Sequence, residues 1–247
     1  MKKLQLVILA LLLAISHVNA KVKLPSIIAS HMVLQQNSIA KLWGWSNNSG
    51  EVKIKTSWSD KIYVSSISER GKWEVDILTP SAGGPYNIMF DDGDKLFIDD
   101  VYLGEVWLCS GQSNMEMPVK GLYGQPVDGS VETIANANKN IPIRLFNVER
   151  CISKTLQEDC NGVWNVNSPE NVANFSATAY FFGKQLYRTL NVPVGLVSSS
   201  WGGTNINCWM SSDALKKFPE ISQEYLVSED VSQKPHPATL FNGMVYP

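Results

Sequence analysis

The chain has 247 residues, of which 44% are hydrophobic and 18% charged, and its 21 Lys and Arg nearly balance its 23 Asp and Glu. This composition is that of a globular protein, and it excludes disordered, collagen-like and polytopic membrane chains. A formal net charge of −2 provides no basic field for a nucleic acid backbone or an anionic lipid surface, so we expect a small or neutral partner and no nucleic acid.

The first twenty residues are typical of an export signal. Lys2 and Lys3 precede an apolar run over 4–15, which is followed by a short polar stretch that ends at Ala20. We therefore predict a signal peptide at 1–20 and a secreted or periplasmic protein, with no stable membrane insertion after cleavage. The alternative is a membrane anchor, although the run is shorter than the roughly 20 residues that a spanning helix needs.

Export also bears on the four cysteines. Cys151 and Cys160 enclose a short segment, and an oxidising compartment permits a disulfide between them. All four cysteines can equally be buried thiols. No spacing of Cys and His indicates a zinc site, so no metal is expected.

Residues 21–100 carry the pattern of β-strands with one buried face. Apolar side chains alternate with polar ones in three runs, at 52–58, 73–77 and 86–90, and a period of two is typical of strands. Segments rich in Gly, Asn and Asp separate these runs and predict hairpin turns. We therefore expect an antiparallel β-sandwich over 21–100.

After residue 100 the pattern changes to alternating strands and helices. It predicts strands over 101–109, 141–148 and 194–200, helices over 130–138 and 168–190, and a further helix capped within 211–213. Ser168, Pro169 and Glu170 form a strong helix start, because proline at the first helical position loses no hydrogen bond and Glu favours the positive end of the dipole. This order predicts a parallel α/β sheet, whose ligand sites lie at the carboxyl ends of strands.

Two of these strand ends carry candidate chemistry. The turn after the strand predicted at 101–109 places Ser113 at the start of a helix, where a serine hydroxyl is exposed and backbone amides lie near it. A Gly/Ser turn of this kind is also common as a plain helix cap. Gly202 and Gly203 follow the strand at 194–200, and glycines there let the backbone approach a ligand, although a tight turn needs them as well.

Several ordered motifs resemble one known family. They lie at 107–117, 168–183, 193–204 and 240–247. Together they are similar to the sialate O-acetylesterases, a branch of the SGNH (GDSL-like) serine esterases. The segments at 34–36 and 43–45 also resemble the β region of that family, so the chain resembles the family's N-terminal portion.

The resemblance implies an α/β protein in two parts: an N-terminal antiparallel β-sandwich at 21–100, then an incomplete SGNH hydrolase domain, flavodoxin-like with three α/β layers, at 101–247. It implies a serine esterase that removes O-acetyl groups from sugars, either sialic acid or a related acetylated polysaccharide, with no cofactor. By motif Ser113 is the nucleophile. Its N–H and that of Gly203 contribute to the oxyanion hole, and Gly202, Gln112 and Asn114 are assigned to oxyanion or substrate binding.

The acid–base partners of the family have no counterpart in this sequence. Family members carry a Gln-Gly-Glu type block and a late Asp-x-x-His block, and neither is present. His236 precedes a proline, but Gln233 stands where Asp is needed, so we expect His236 in a surface loop and His31 in a structural role. The expectation is a chain that is truncated at its C-terminus, lacks the catalytic Asp and His and is inactive alone. The alternative is a non-catalytic carbohydrate-binding protein with a degenerate hydrolase domain.

Overall fold

A computed structural model of the chain describes residues 22–221 and 234–247, so the predicted signal peptide at 1–20 lies outside the described residues. The strands are β1 (Val33–Gln35), β2 (Ser38–Trp45), β3 (Glu51–Thr56), β4 (Ile62–Ser66), β5 (Lys72–Thr79), β6 (Gly83–Asp91), β7 (Lys95–Gly111), β8 (Ile143–Asn147), β9 (Trp164–Val166) and β10 (Val194–Ser200). The helices include α1 (Ser113–Glu116), α2 (Ser130–Ala135), α3 (Pro169–Asn174), α4 (Ala177–Leu190) and α5 (Ser212–Leu215), with a 3₁₀ helix at Ile206–Trp209 and a π-helix at Phe241–Val245. No helix within these residues is long and apolar enough to cross a membrane.

The first part of the chain forms antiparallel strands whose apolar faces meet, except that β1 pairs parallel with β7. β4, β3, β6 and β7 are neighbours in a large sheet, and β2 pairs with β5 in a separate two-stranded sheet. The apolar residues of the alternating runs are buried between them, including Val52, Ile54, Trp73, Ile77, Ile88 and Phe90. Trp58, predicted in the same run as Val52, lies beyond the end of β3.

One long strand connects the two parts of the chain. β7 has 17 residues and therefore crosses the boundary expected between residues 100 and 101. Its first half pairs antiparallel with β6, and its second half pairs parallel with β10, from Glu105 to Gly111. A single sheet consequently runs through both parts.

The second part is an α/β region, as the alternation predicts, but its sheet is mixed rather than wholly parallel. The sheet continues in the order β7, β10, β8, β9, with β10 parallel to both β7 and β8, and β9 antiparallel to β8. α4 packs on β10 and buries Leu145 and Leu196 with Tyr180. Phe146 and Trp164 join the core of the first part, so both parts share packed apolar residues.

The predicted helix over 168–190 is wrong as a single element, because the structure divides it into α3 and α4. Ser168 caps α3 as expected, since its hydroxyl accepts from the N–H of Asn171. The backbone is extended at Phe175, with φ −88° and ψ 158°, and the side chain of Phe175 is buried. Ser176 then caps α4 by accepting from the N–H of Ala179.

The predicted helix over 130–138 is also shorter than expected. Its capping residue is Gly129 rather than Ser130, and α2 ends at Ala135. The side-chain oxygen of Asn138 accepts from the N–H of Asn140 at 2.9 Å, a local turn that competes with continued helix.

All four cysteines are free thiols in the structure, and Cys109, Cys160 and Cys208 are buried. Burial raises the pKa of Cys109 and of Cys160 to about 11. The sequence leaves open a Cys151–Cys160 disulfide or four buried thiols, and the structure has four thiols, of which Cys151 is only partly buried.

Candidate active site

Ser113 lies at the carboxyl end of β7, where the sequence predicts it. It is the first residue of α1, and its neighbours Gln112 and Asn114 are exposed with it. Hydrogen bonds from Glu116 N–H to the Gln112 carbonyl and from Met117 N–H to the Ser113 carbonyl close this single helical turn. The Ser113 hydroxyl therefore lies at the carboxyl ends of the strands, exposed to solvent, rather than inside the core.

The turn after β10 lies against Ser113. Ser200 is in register with Gly111, and the N–H of Trp201 donates to the Gly111 carbonyl at 3.1 Å. A Cβ added at Gly202 would lie 3.3 Å from Ser113 Oγ and 2.6 Å from Glu116 Oε2. The two predicted strand ends therefore meet, and a side chain at position 202 would displace the Glu116 carboxylate.

The two glycine amides of this turn differ in their partners. The N–H of Gly202 donates to Glu116 Oε2 at 2.8 Å, so it is occupied. Gly203 is exposed with φ +75°, and its N–H has no acceptor among residues 22–221 and 234–247. Of the pair, Gly203 has the amide that is free to bind an anionic oxygen.

Sequence reasoning missed a cluster of three side chains beside Ser113. Glu116 Oε1 accepts a hydrogen bond from the guanidinium of Arg150, and that guanidinium lies 4.9 Å from the centre of the Trp201 ring. Glu116 lies three residues after Ser113, a spacing that puts both on one side of a helical turn. This spacing is the one signal in the sequence that could have indicated Glu116.

A crevice opens next to this cluster, at the carboxyl ends of β8 and β10. Its volume is about 250 Å³, and its walls include Asn147, Ser176, Ser198, Ser200, Glu116 and Arg150. Hydroxyl, amide and charged groups therefore dominate the lining. Such groups can exchange hydrogen bonds with the hydroxyls of a sugar.

The histidines do not supply a base next to Ser113. His236 lies in a loop and is half-buried. Its N–H donates to Thr239 Oγ1, and Ala238 N–H donates to the Asn207 carbonyl. Among the described residues, no histidine is hydrogen-bonded to Ser113 Oγ. His236 therefore lies beside the 3₁₀ helix that follows the Gly203 turn, held by its backbone.

His31 lies in a polar cluster with Asp100 and Arg144. Its Nδ1 lies 2.7 Å from Asp100 Oδ2, which also accepts from Arg144 Nη2 at 3.0 Å. Arg144 is buried, so Asp100 supplies the opposite charge that a buried guanidinium requires. Asp100 precedes Gly111 by eleven residues of β7, roughly 35 Å along a strand, which places His31 far from Ser113.

The described residues contain no group of three His, Cys, Asp or Glu side chains that could hold a metal ion. At this end of the sheet the structure brings together a serine hydroxyl, backbone amides and the Glu116–Arg150 pair.

Comparison with known proteins identifies the family. The family model described as carbohydrate esterase, sialic acid-specific acetylesterase, matches residues 103–229, just over half of the chain. The chain belongs to this carbohydrate esterase family. The matched region contains Ser113, Glu116, Arg150 and the Gly202–Gly203 turn.

Relatives of this chain include sialate O-acetylesterases of mammals. The human enzyme is 29% identical over 240 residues, which are 90% of this chain and 45% of the human protein. The rat enzyme is 34% identical over 226 residues, covering 83% of this chain and 41% of the rat protein. The chain thus spans somewhat less than half the length of these relatives.

A solved structure agrees with the observed fold. The crystal structure of a carbohydrate acetylesterase from Xanthomonas citri superposes with a TM-score of 0.79 at 31% sequence identity. The match covers 92% of this chain and 48% of the Xanthomonas chain. The mixed α/β fold with its large sheet is therefore one that a carbohydrate acetylesterase also has.

Proposed function

We propose that this protein is an exported serine esterase that removes O-acetyl groups from sugars, with sialic acid or a related acetylated polysaccharide as substrate and Ser113 as the nucleophile. The observation that carries the proposal is that two strand ends meet: an exposed serine hydroxyl follows β7, and the turn after β10 passes so close that a Cβ built at Gly202 would lie 3.3 Å from Ser113 Oγ. Family membership supports the same reaction.

The proposed reaction has two steps. Ser113 Oγ attacks the acetyl carbonyl carbon, its proton passes to a base, and the bond between that carbon and the sugar oxygen breaks as the oxygen takes up the proton. Water then attacks the acetyl-serine and releases acetate. In both steps the N–H groups of Ser113 and Gly203 stabilise the negative carbonyl oxygen. Gln112, Asn114 and the polar crevice beside Glu116 contact the sugar.

We further propose that the base comes from outside the described residues. Ser113 Oγ has no hydrogen-bonded histidine in 22–221 and 234–247, and an unassisted serine hydroxyl is a weak nucleophile. The relatives are more than twice as long as the matched segment, which leaves ample chain in them for an Asp and a His.

The open edge of β7 supports an incomplete hydrolase sheet. β10 pairs with one side of residues 105–111, and no described strand pairs with the other side beyond Gly104. Trp107 and Leu108 are 43% and 51% exposed there, and an unpaired apolar strand edge is typical of a sheet that lacks a neighbour. We propose a β-sandwich at 21–100 and an SGNH domain, missing further strands, at 101–247.

The test uses the chain from Lys21 and two kinds of ester. p-Nitrophenyl acetate has a leaving group that needs no proton, so it reports acylation of Ser113 even without a strong base. An O-acetylated sialic acid has an alkoxide leaving group that must be protonated as it departs, which requires an acid–base residue. We expect p-nitrophenol release that Ser113→Ala abolishes and that Ser49→Ala, at an exposed serine of a distant turn, leaves unchanged. Acetate release from the sugar should be slower by several orders of magnitude.

Three outcomes decide between the candidates. Release of p-nitrophenol that survives Ser113→Ala would contradict the assignment of the nucleophile. Fast sugar deacetylation that His236→Ala abolishes would contradict an outside base. A folded chain that binds the acetylated sugar but releases product from neither ester would favour a non-catalytic carbohydrate-binding protein. This second candidate is supported by the absence of a histidine bound to Ser113 among the described residues.

A further inference from the structure

Glu116 connects the two strand ends that form the candidate site. We propose that Glu116 is a positioning residue, which holds the Gly202–Gly203 turn against Ser113 and thereby fixes the Gly203 amide as the second oxyanion donor. This inference rests on the proposed function.

The first contact is a hydrogen bond across the site. Glu116 Oε2 accepts from the N–H of Gly202 at 2.8 Å, joining residues 86 positions apart. α1 is a single turn of four residues, too short to be stable without external contacts. The bond between Glu116 and Gly202 therefore fixes α1 and the turn after β10 relative to each other.

The second contact returns to the same turn. Glu116 Oε1 accepts from Arg150, and the Arg150 guanidinium stacks 4.9 Å from the centre of the Trp201 ring. The carboxylate thus reaches Gly202 directly and Trp201 through Arg150. Since both carboxylate oxygens have donors, Glu116 is poorly suited to take the Ser113 proton itself.

Exposure separates a positioning role from a stabilising one. The side chains of Glu116 and Arg150 are 34% and 52% exposed, and ion pairs this open to water contribute little to the stability of a fold. Glu116 nevertheless lies one helical turn from Ser113, and the pair contacts Gly202 and Trp201, which precede Gly203. Its effect is therefore expected on the geometry of the site rather than on folding.

The close approach makes the geometry sensitive to this carboxylate. A Cβ built at Gly202 would lie 3.3 Å from Ser113 Oγ and 2.6 Å from Glu116 Oε2, closer than van der Waals contact, whereas Gly203 has open space around its Cβ position and φ +75°. Glu116 occupies the Gly202 amide and leaves the Gly203 amide free. Without the carboxylate, both amides would compete for the same anionic oxygen and the turn would lose its anchor.

The experiment compares Glu116→Ala and Glu116→Gln with Glu51→Gln, the same change at an exposed carboxylate on β3. The first readout is the amide resonances of Gly202 and Gly203 in ¹⁵N–¹H spectra, which need no turnover. We expect both resonances to shift in Glu116→Ala, both to shift less in Glu116→Gln, whose amide oxygen can still accept, and neither to shift in Glu51→Gln.

The second readout is p-nitrophenyl acetate hydrolysis. A misplaced oxyanion donor lowers kcat, so Glu116→Ala should reduce it on the order of 10²-fold with little change in KM. Glu116→Gln should recover part of this loss. A purely structural role would give the same loss in both variants, in parallel with a lower melting temperature.

The inference is overturned if the Gly203 resonance stays in place in Glu116→Ala while that of Gly202 shifts, or if kcat is unchanged in an active protein. If the parent chain hydrolyses no ester, the proposed function fails, and the glycine resonances alone then decide whether Glu116 holds the turn. If Glu116→Ala does not fold, the nearly isosteric Glu116→Gln provides the same test.

Discussion

Replacing Gly202 with alanine perturbs the contact on which the candidate site depends. The added Cβ would lie 2.6 Å from Glu116 Oε2 and 3.3 Å from Ser113 Oγ. The serine can adjust by a few tenths of an ångström, but the carboxylate is held by Arg150 and by the Gly202 amide. We therefore expect the Glu116 carboxylate to move and its hydrogen bond to Gly202 to break.

The magnitude follows from the bond that is lost. Hydrogen bonds to charged groups contribute roughly 1.5–3 kcal/mol, and the 34% exposure of Glu116 argues for the lower end, about 1.5 kcal/mol. The bond is present in the free protein, so its loss lowers the free energy of unfolding, and the rate falls because the Gly203 amide is displaced, by about tenfold to a hundredfold. KM should change little, because the contact acts on the oxyanion.

The assay is p-nitrophenol release, measured beside thermal unfolding. Gly124→Ala is the control: Gly124 has φ +72° and nothing within 4 Å of its Cβ position, so it tests backbone strain without a contact at the site. The double variant Gly202→Ala/Glu116→Ala should be no slower than the slower single variant, because both changes remove one contact. A wild-type kcat in Gly202→Ala, or losses that multiply in the double variant, would refute the reasoning.

Three further predictions follow from the structure. Arg150→Ala should lower kcat about tenfold while changing the free energy of unfolding by less than about 1 kcal/mol, since the pair with Glu116 is exposed. Kinetics measures the first effect and chemical denaturation the second. A large loss of stability with a normal kcat would contradict this prediction. Burial raises the pKa of Cys109 and Cys160 from 9.0 to about 11, so these thiols stay protonated in the folded protein while the unfolded thiols ionise. The free energy of unfolding should therefore fall as pH rises from about 9 to 11. A denaturation series in which it stayed constant over that range would contradict the burial of these thiols. N-terminal sequencing of the exported protein should begin at Lys21, and retention of 1–20 would contradict the signal peptide.

Much of the local structure could be predicted because local signals determine it. β10 has the predicted bounds, since a short apolar run between Pro193 and a glycine turn can form little else. The cap at Ser168 also follows from adjacent residues. The division of the following helix could not be predicted from its apolar spacing, because it depends on burial of Phe175 and on a second cap at Ser176.

The candidate site could be predicted only where neighbouring residues define it. Ser113 and the Gly202–Gly203 turn each follow a recognisable strand, and parallel strands bring their carboxyl ends to one edge. The contact of Glu116 with Arg150 depends instead on the strand order β7, β10, β8, which the sequence pattern does not specify. The same holds for His31, whose partner Asp100 lies on β7 and is itself bound by Arg144 of β8.

The most direct test of the central claim is the identity of the acylated residue. The chain from Lys21 would be mixed with p-nitrophenyl acetate, quenched in acid during turnover, digested and analysed by mass spectrometry. The account predicts an acetyl group on Ser113, absent from Ser113→Ala and less abundant in Gly202→Ala. Turnover with Ser113 unmodified, or with the acetyl group on another residue, would contradict it.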